Sequence, residues 1–147
     1  MDTCAGMEIF PKSPSEMVGG LRYFARMLDK IRLRARGDLP SDYHANMGHR
    51  NAMDGVMCNF LRVDYEQLRQ GVLEGRSDEE ILEWCYQNGC RLNEDDILVW
   101  NNFITKFGWN DFATPILERR KNKLGIADRA DIQTMGDLFD FEEWRRK

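Results

Sequence analysis

The stretch that decides the fold runs Ser13-Pro14-Ser15-Glu16-Met17-Val18-Gly19-Gly20-Leu21-Arg22-Tyr23-Phe24-Ala25-Arg26-Met27-Leu28-Asp29-Lys30-Ile31-Arg32-Leu33-Arg34-Ala35-Arg36-Gly37. Its apolar residues Met17, Leu21, Phe24, Leu28, Ile31 and Ala35 follow one another at steps of 4, 3, 4, 3 and 4, the stripe of an amphipathic helix. Ser13 and Glu16 have the spacing of a capping box, and Pro14 falls at the first helical position, where its missing N–H costs nothing. Arg32, Arg34 and Arg36 crowd the last turn, where cations suit the helix dipole. Gly37 and Pro40 then end the segment. The spacing predicts one helix from Ser13 to Gly37, with Gly19-Gly20 serving close packing inside it at a cost of about 1 kcal/mol per glycine.

Similar signals recur along the chain. Residues 38–50 lack apolar periodicity and read as a polar loop. Met53, Val56, Met57, Phe60 and Leu61 mark a second helix. Capping residues Asp64, Ser77, Asn93 and Thr134 each precede an apolar run, and Gly75, Gly89, Gly108 and Gly125 punctuate the ends. A further helix runs from near Asp111–Pro115 through Ile116 and Leu117. No segment keeps a strand's period, and no Asn-Gly or Asp-Gly pair joins two β-rich runs. The expected fold class is therefore all-α, a compact antiparallel bundle of about six helices with a polar loop between the first and second. Residues 1–147 read as a single helical domain, with 1–12 an N-terminal extension and the more polar 126–147 an appended C-terminal arm. The tryptophans Trp84, Trp100 and Trp144 read as core, and Trp109 as partly exposed.

Composition limits the function classes. A chain of 147 residues with 42% hydrophobic and 11% aromatic content is neither disordered nor too short for a core. A net charge of −4 argues against general nucleic-acid binding, and the short apolar runs exclude a transmembrane helix. Met1–Lys12 carries Asp2 and Glu8 and lacks a basic-then-apolar signal layout, so export is not expected. The four cysteines, Cys4, Cys58, Cys85 and Cys90, form no CxxC pair. Cys58 and Cys85 sit among apolar residues as small core hydrophobes, and the compartment reads as reducing and cytoplasmic. Charge is unevenly spread. Met17–Gly37 holds six basic residues against Asp29 alone, whereas Asp64–Glu83 holds seven acids against Arg69 and Arg76. These patches are able to pair within the fold or between subunits.

Several motifs occur in a recognisable order: Gly19-Gly20-Leu21, Arg26-Met27-Leu28-Asp29-Lys30, and Asp42-Tyr43 with Asn46 and Gly48. Phe60-Leu61-Arg62-Val63-Asp64 and Ser77 to Trp84 follow, with Trp100-Asn101 and Gly108-Trp109 as looser matches. On these the chain resembles the bacterial domain-of-unknown-function family 5069, over roughly Pro11 to Asp140. It departs from the family pattern after Gly48, where the route to Asp54-Gly55 is longer and carries Met53. The resemblance implies a small soluble bacterial helical protein and implies no activity.

The chemistry-bearing residues converge on one region. Arg26, Asp29 and Lys30 share a helix face by their i,i+3 and i,i+4 spacing, and Asp42, Tyr43, His44 and Asn46 lie in the loop that follows that helix. A loop folded over that face forms a pocket for a small anion. Arg26 and Lys30 would hold a carboxylate or phosphate, Tyr43 and Asn46 would orient it, and His44 would serve as an acid or base. The bland alternative makes Arg26–Asp29 a helix ion pair and Asp42 and Asn46 turn residues. His44 and His49, with Asp42 and Asp54 nearby, lack the spacing of a zinc helix, and no metal is expected. No GxSxG, GxxxxGK or GxGxxG motif is present, and no cofactor is expected. Two function classes stay open: an anion-binding protein, with or without enzyme activity, and an interaction module or homodimer using its charged faces and Met-rich second helix. Neither nucleic acid nor membrane is an expected partner.

Overall fold

The computed structural model describes residues 9–146. Most of the N-terminal extension, with Asp2, Cys4 and Glu8, lies outside the described residues. The first part of the deciding stretch, Ser13–Tyr23, departs from the expectation. Met17–Val18 (β1) and Leu21–Arg22 (β2) form an antiparallel hairpin with Met17 opposite Arg22 and Val18 opposite Leu21. Its turn is Gly19-Gly20, at φ 56° and 81°. Two successive positive φ values are what a tight hairpin turn needs, and only glycine adopts both without strain. The helix is thus broken before it starts. Ser13 and Glu16 make no capping box. Ser15 donates its N–H to Ser13 Oγ, and the Glu16 N–H goes to the Ser13 carbonyl in a local turn.

The first helix, α1, is Phe24–Ala35, and it is mostly buried, including Arg26 and Lys30. It packs against Tyr65–Leu73 (α3), and β2 lies on Glu94–Thr105 (α5). Two side chains of α5 fasten the hairpin. Trp100 Nε1 donates to the Arg22 carbonyl at 2.9 Å, while Asn101 accepts from Arg22 N at 2.9 Å and donates to the Gly20 carbonyl at 2.8 Å.

The remaining elements are Met53–Leu61 (α2), Asp78–Asn88 (α4), Thr114–Lys123 (α6) and Met135–Glu142 (α7), with a 3-10 turn at Ser41–Asn46 inside the expected loop. The described residues are therefore mostly helical, with seven α-helices, one 3-10 turn and a two-strand sheet, rather than about six helices alone. Reciprocal capping boxes open α4 (Ser77, Glu80), α5 (Asn93, Asp96) and α7 (Thr134, Asp137), and Asp64 caps α3 through the Gln67 N–H. Each satisfies orphan donors with residues three apart in sequence.

One buried cluster joins Leu21, Phe24, Leu28, Met57, Leu61, Leu68, Ile81, Trp100 and Leu138. Ile132 and Met135, from beyond Gly125, belong to it too. Trp144 is 81% exposed, against the expectation that it is core, and Trp109 is half exposed as expected. Leu98 and Phe103, two large apolar residues of α5, are exposed. Gly55 inside α2 has a packing reason: a Cβ there would sit 2.2 Å from the His49 carbonyl oxygen, so the bare backbone lets the loop lie on the helix. Where the basic and acidic segments pack together, Arg32 pairs with Asp78 at 2.6 Å. No helix among the described residues is long and apolar enough to cross a membrane.

Candidate functional site

Two buried ionic clusters stand one helical turn apart on α1. At the first, the Arg26 guanidinium meets Glu143, which directly follows α7. Nη1 donates to Oε1 at 2.8 Å and Nη2 to Oε2 at 2.7 Å, a bidentate fork. Glu143 also accepts from Tyr43 Oη and from Arg145 Nη1, each at 2.7 Å. The Phe139 ring lies 4.4 Å from the guanidinium carbon. Burial draws the Arg26 pKa down, but the hydrogen bond and charge of Glu143 outweigh it and leave it raised. Burial likewise pushes the Glu143 carboxyl up, and Arg26 and Tyr43 overcome it, leaving it below the ordinary carboxylate range. One atom is left over: Arg26 Nε–H is buried and has no acceptor among the described residues.

At the second cluster, Lys30 Nζ lies 2.9 Å from Asp54 Oδ1 and donates to Tyr23 Oη at 3.1 Å. Tyr23 Oη donates to the same Asp54 oxygen at 2.5 Å, and the Gly48 N–H donates to Oδ2 at 3.1 Å. Asp54 is fully buried, and Lys30 is 5% exposed. Desolvation lowers the Lys30 pKa, with Asp54's charge opposing it incompletely. Burial first, and then Asp54, hold the Tyr23 hydroxyl well above its ordinary value. Tyr23 sits at φ 76°, in the left-handed region a bulky side chain rarely enters, at the start of α1 and without a side-chain cap.

Arg26 and Tyr43 of the first cluster and Lys30 and Tyr23 of the second line one cavity of about 470 Å³, whereas Glu143 and Asp54 are not part of its lining. Arg26, Lys30, Tyr43, Asp42, Asn46 and His49 supply polar lining; Met53, Phe107, Ile116, Met135, Phe139 and Phe141 supply much of the rest. A volume of this order with apolar walls and few convergent polar groups is the usual form of a small-molecule site. Of the residues predicted from sequence, Arg26, Lys30, Asp42, Tyr43 and Asn46 line the cavity. Asp29 and His44 do not. Asp29 accepts the Lys12 N–H at 2.9 Å, so the expected Arg26–Asp29 ion pair gives way to Arg26–Glu143. His44 Nε2 is spent on the Leu39 carbonyl at 3.1 Å. Sequence reasoning missed Tyr23, Glu143 and the pairing of Lys30 with Asp54. Asp54-Gly55 lay within the motif region, but nothing local marks Glu143. Among the described residues no group of three or more His, Cys, Asp or Glu side chains is placed to hold a metal ion.

A family model described as Domain of unknown function (DUF5069) matches residues 8–145, nearly the whole chain. No curated protein matches it.

Proposed function

The chain belongs to the DUF5069 family, and we propose from its cavity that it binds a small carboxylate with an apolar body between α1 and the 38–50 loop. The observation that carries this is Arg26, which lines an apolar cavity and whose buried Nε–H has no acceptor among the described residues. Buried polar groups are almost always paired, and leaving one unpaired costs about 1–3 kcal/mol. A ligand oxygen would satisfy it. Charge narrows the class further. Arg26 and Lys30 already carry Glu143 and Asp54, and Arg120 on the rim pairs with Glu142 at 2.9 Å. Among the described residues the lining cations Arg26, Lys30 and Arg120 are thus all paired, which disfavours a multiply charged phosphate, whereas a monocarboxylate gains from directed hydrogen bonds and buries its apolar body against Phe139 and Met53.

The test is thermal unfolding with 3-phenylpropanoate, 4-methylpentanoate and inorganic phosphate. The carboxylates raise the midpoint and phosphate does not. Arg26→Lys, which keeps the charge and removes the Nε donor, cancels the shift. Ile116→Trp, which fills the cavity from its partly exposed rim, cancels it without touching the ion pairs. No shift from either carboxylate, or a shift that survives Ile116→Trp, refutes the reading.

A second reading, an interaction module or homodimer, is favoured by the exposed Leu98, Val99, Trp109 and Phe112 on and beside α5. Sedimentation of the full chain over a range of concentrations tests it, and a monomer throughout removes it.

A further inference from the structure

We propose that Lys30 is a nucleophilic lysine that condenses with the carbonyl of a 2-oxo acid held in the cavity, forming an imine with Tyr23 and Asp54 as its proton-handling partners. This rests on the carboxylate reading above and adds a reaction to it.

Four observations converge on it. Lysine heads are almost never withdrawn from water unless paired; Lys30 is 5% exposed, is held by Asp54 at 2.9 Å and lines a cavity, so a buried base stands beside a buried amine at the cavity wall. Its stem follows Arg26 by four residues on α1, so the two side chains are neighbours on one face. A carboxylate on Arg26 Nε therefore brings the adjacent carbonyl carbon of a 2-oxo acid toward Lys30 Nζ. The partners that imine formation needs are already in contact: Tyr23 Oη lies 3.1 Å from Nζ and 2.5 Å from Asp54. Finally, Tyr23 is held in a left-handed backbone conformation that costs a non-glycine residue about 1–3 kcal/mol, and such strain clusters at functional sites. Burial of the ammonium works in the same direction, favouring the neutral amine.

The step balances without an oxidant or reductant. Lys30 passes one proton to Asp54, and the freed lone pair attacks the carbonyl carbon. A C–N bond forms, and the carbonyl π pair moves to oxygen. A proton then passes from nitrogen to that oxygen through Tyr23 Oη, giving the carbinolamine. Asp54 returns its proton to the hydroxyl, which leaves as water, and a protonated imine remains beside the Asp54 carboxylate. The sum is ammonium plus ketone giving iminium plus water.

Phenylpyruvate is the probe, because its ring suits the apolar walls and it carries both the carboxylate and the ketone. The full chain is incubated with it, reduced with borohydride and read by intact mass and peptide mapping. The expected result is one adduct, heavier by phenylpyruvic acid less one oxygen, on Lys30 and not on Lys12, Lys106, Lys121 or Lys123. Lys30→Arg, which keeps the charge opposite Asp54, abolishes trapping. Tyr23→Phe slows trapping at saturating phenylpyruvate about a hundredfold or more, the usual contribution of general acid–base catalysis. If 3-phenylpropanoate and phenylpyruvate both raise the midpoint but borohydride traps nothing, or traps surface lysines alike, the lysine proposal falls and the cavity reading stands. If neither compound shifts the midpoint and nothing is trapped, both fall.

Discussion

Glu143→Leu removes the one carboxylate that neutralises a fully enclosed guanidinium. Glu143 accepts four hydrogen bonds, two from Arg26 and one each from Tyr43 and Arg145, and its side chain is completely buried, as is that of Arg26 at 2% exposure. At about 1.5–3 kcal/mol for each bond to a charged group, the gross interaction is roughly 6–12 kcal/mol. Desolvation of both ions consumes much of it, and removal of one partner from a buried pair costs about 3–5 kcal/mol net, because the other charge stays behind. For a chain of this length that lowers the thermal midpoint by about 6–20 °C. Urea unfolding followed by tryptophan fluorescence measures it. The double variant Arg26→Met/Glu143→Leu removes the stranded charge as well, so most of the loss is recovered. Two results refute the reasoning: a Glu143→Leu chain within about 0.5 kcal/mol of the parent, or a double variant as unstable as the sum of the two single variants.

Further outcomes follow from the same structure. The Glu143 carboxyl is held below its ordinary range, so its folded value lies beneath its unfolded one. Its contribution is complete above the unfolded value, about pH 4.3, and is lost as pH falls through the folded value; unfolding free energies from pH 3 to 7 flatten at the acid end in Glu143→Gln, and an unchanged acid slope argues against it. Gly20→Ala meets only an ordinary contact with Ile97 at 3.9 Å, so its cost is backbone strain at φ 81°, about 1–2 kcal/mol; Gly20→Asn costs less, and equal stability of the three chains removes the hairpin argument. Burial pushes the Cys85 thiol up to about 12 and Cys58 higher still, whereas Cys90 is exposed. Mass-resolved alkylation of the native chain therefore labels Cys90 and reaches Cys58 and Cys85 only on unfolding.

The parts of the fold legible in the sequence are those settled within a turn or two. Ser77 with Glu80, Asn93 with Asp96 and the Thr134 cap are contacts three residues long, and the sequence shows both ends of each. Gly19-Gly20 is also local, but the helical stripe on either side of it hides its meaning. Gly-Gly is a hairpin signal in its own right, and two positive φ angles outweigh a periodic pattern because each would strain any other residue. The cavity was half legible for the same reason. Arg26 and Lys30 share a face by helical geometry, and Tyr43 and Asn46 sit in the adjoining loop. Their counter-ions come from elsewhere: Asp54 is bonded by Tyr23 across 31 residues and Glu143 by Arg26 across 117. No spacing rule reaches that far, so the neutralised state of both cations, on which the proposed ligand class rests, emerges only in three dimensions.

The Arg26–Glu143 fork also sets an order of events in time. Closing a loop of 117 residues costs about 4 kcal/mol by the logarithmic law, whereas the capped helices between its ends close over a few residues each. The fork therefore belongs among the late contacts of folding, with the docking of the hairpin on α5, which spans 79 residues. During synthesis Arg26 must wait for more than a hundred further residues before its counter-ion exists, and until then its guanidinium stays hydrated and the cavity wall open. A substitution at Glu143 should thus accelerate unfolding while leaving the refolding rate nearly unchanged, the kinetic mark of an interaction formed after the rate-limiting step.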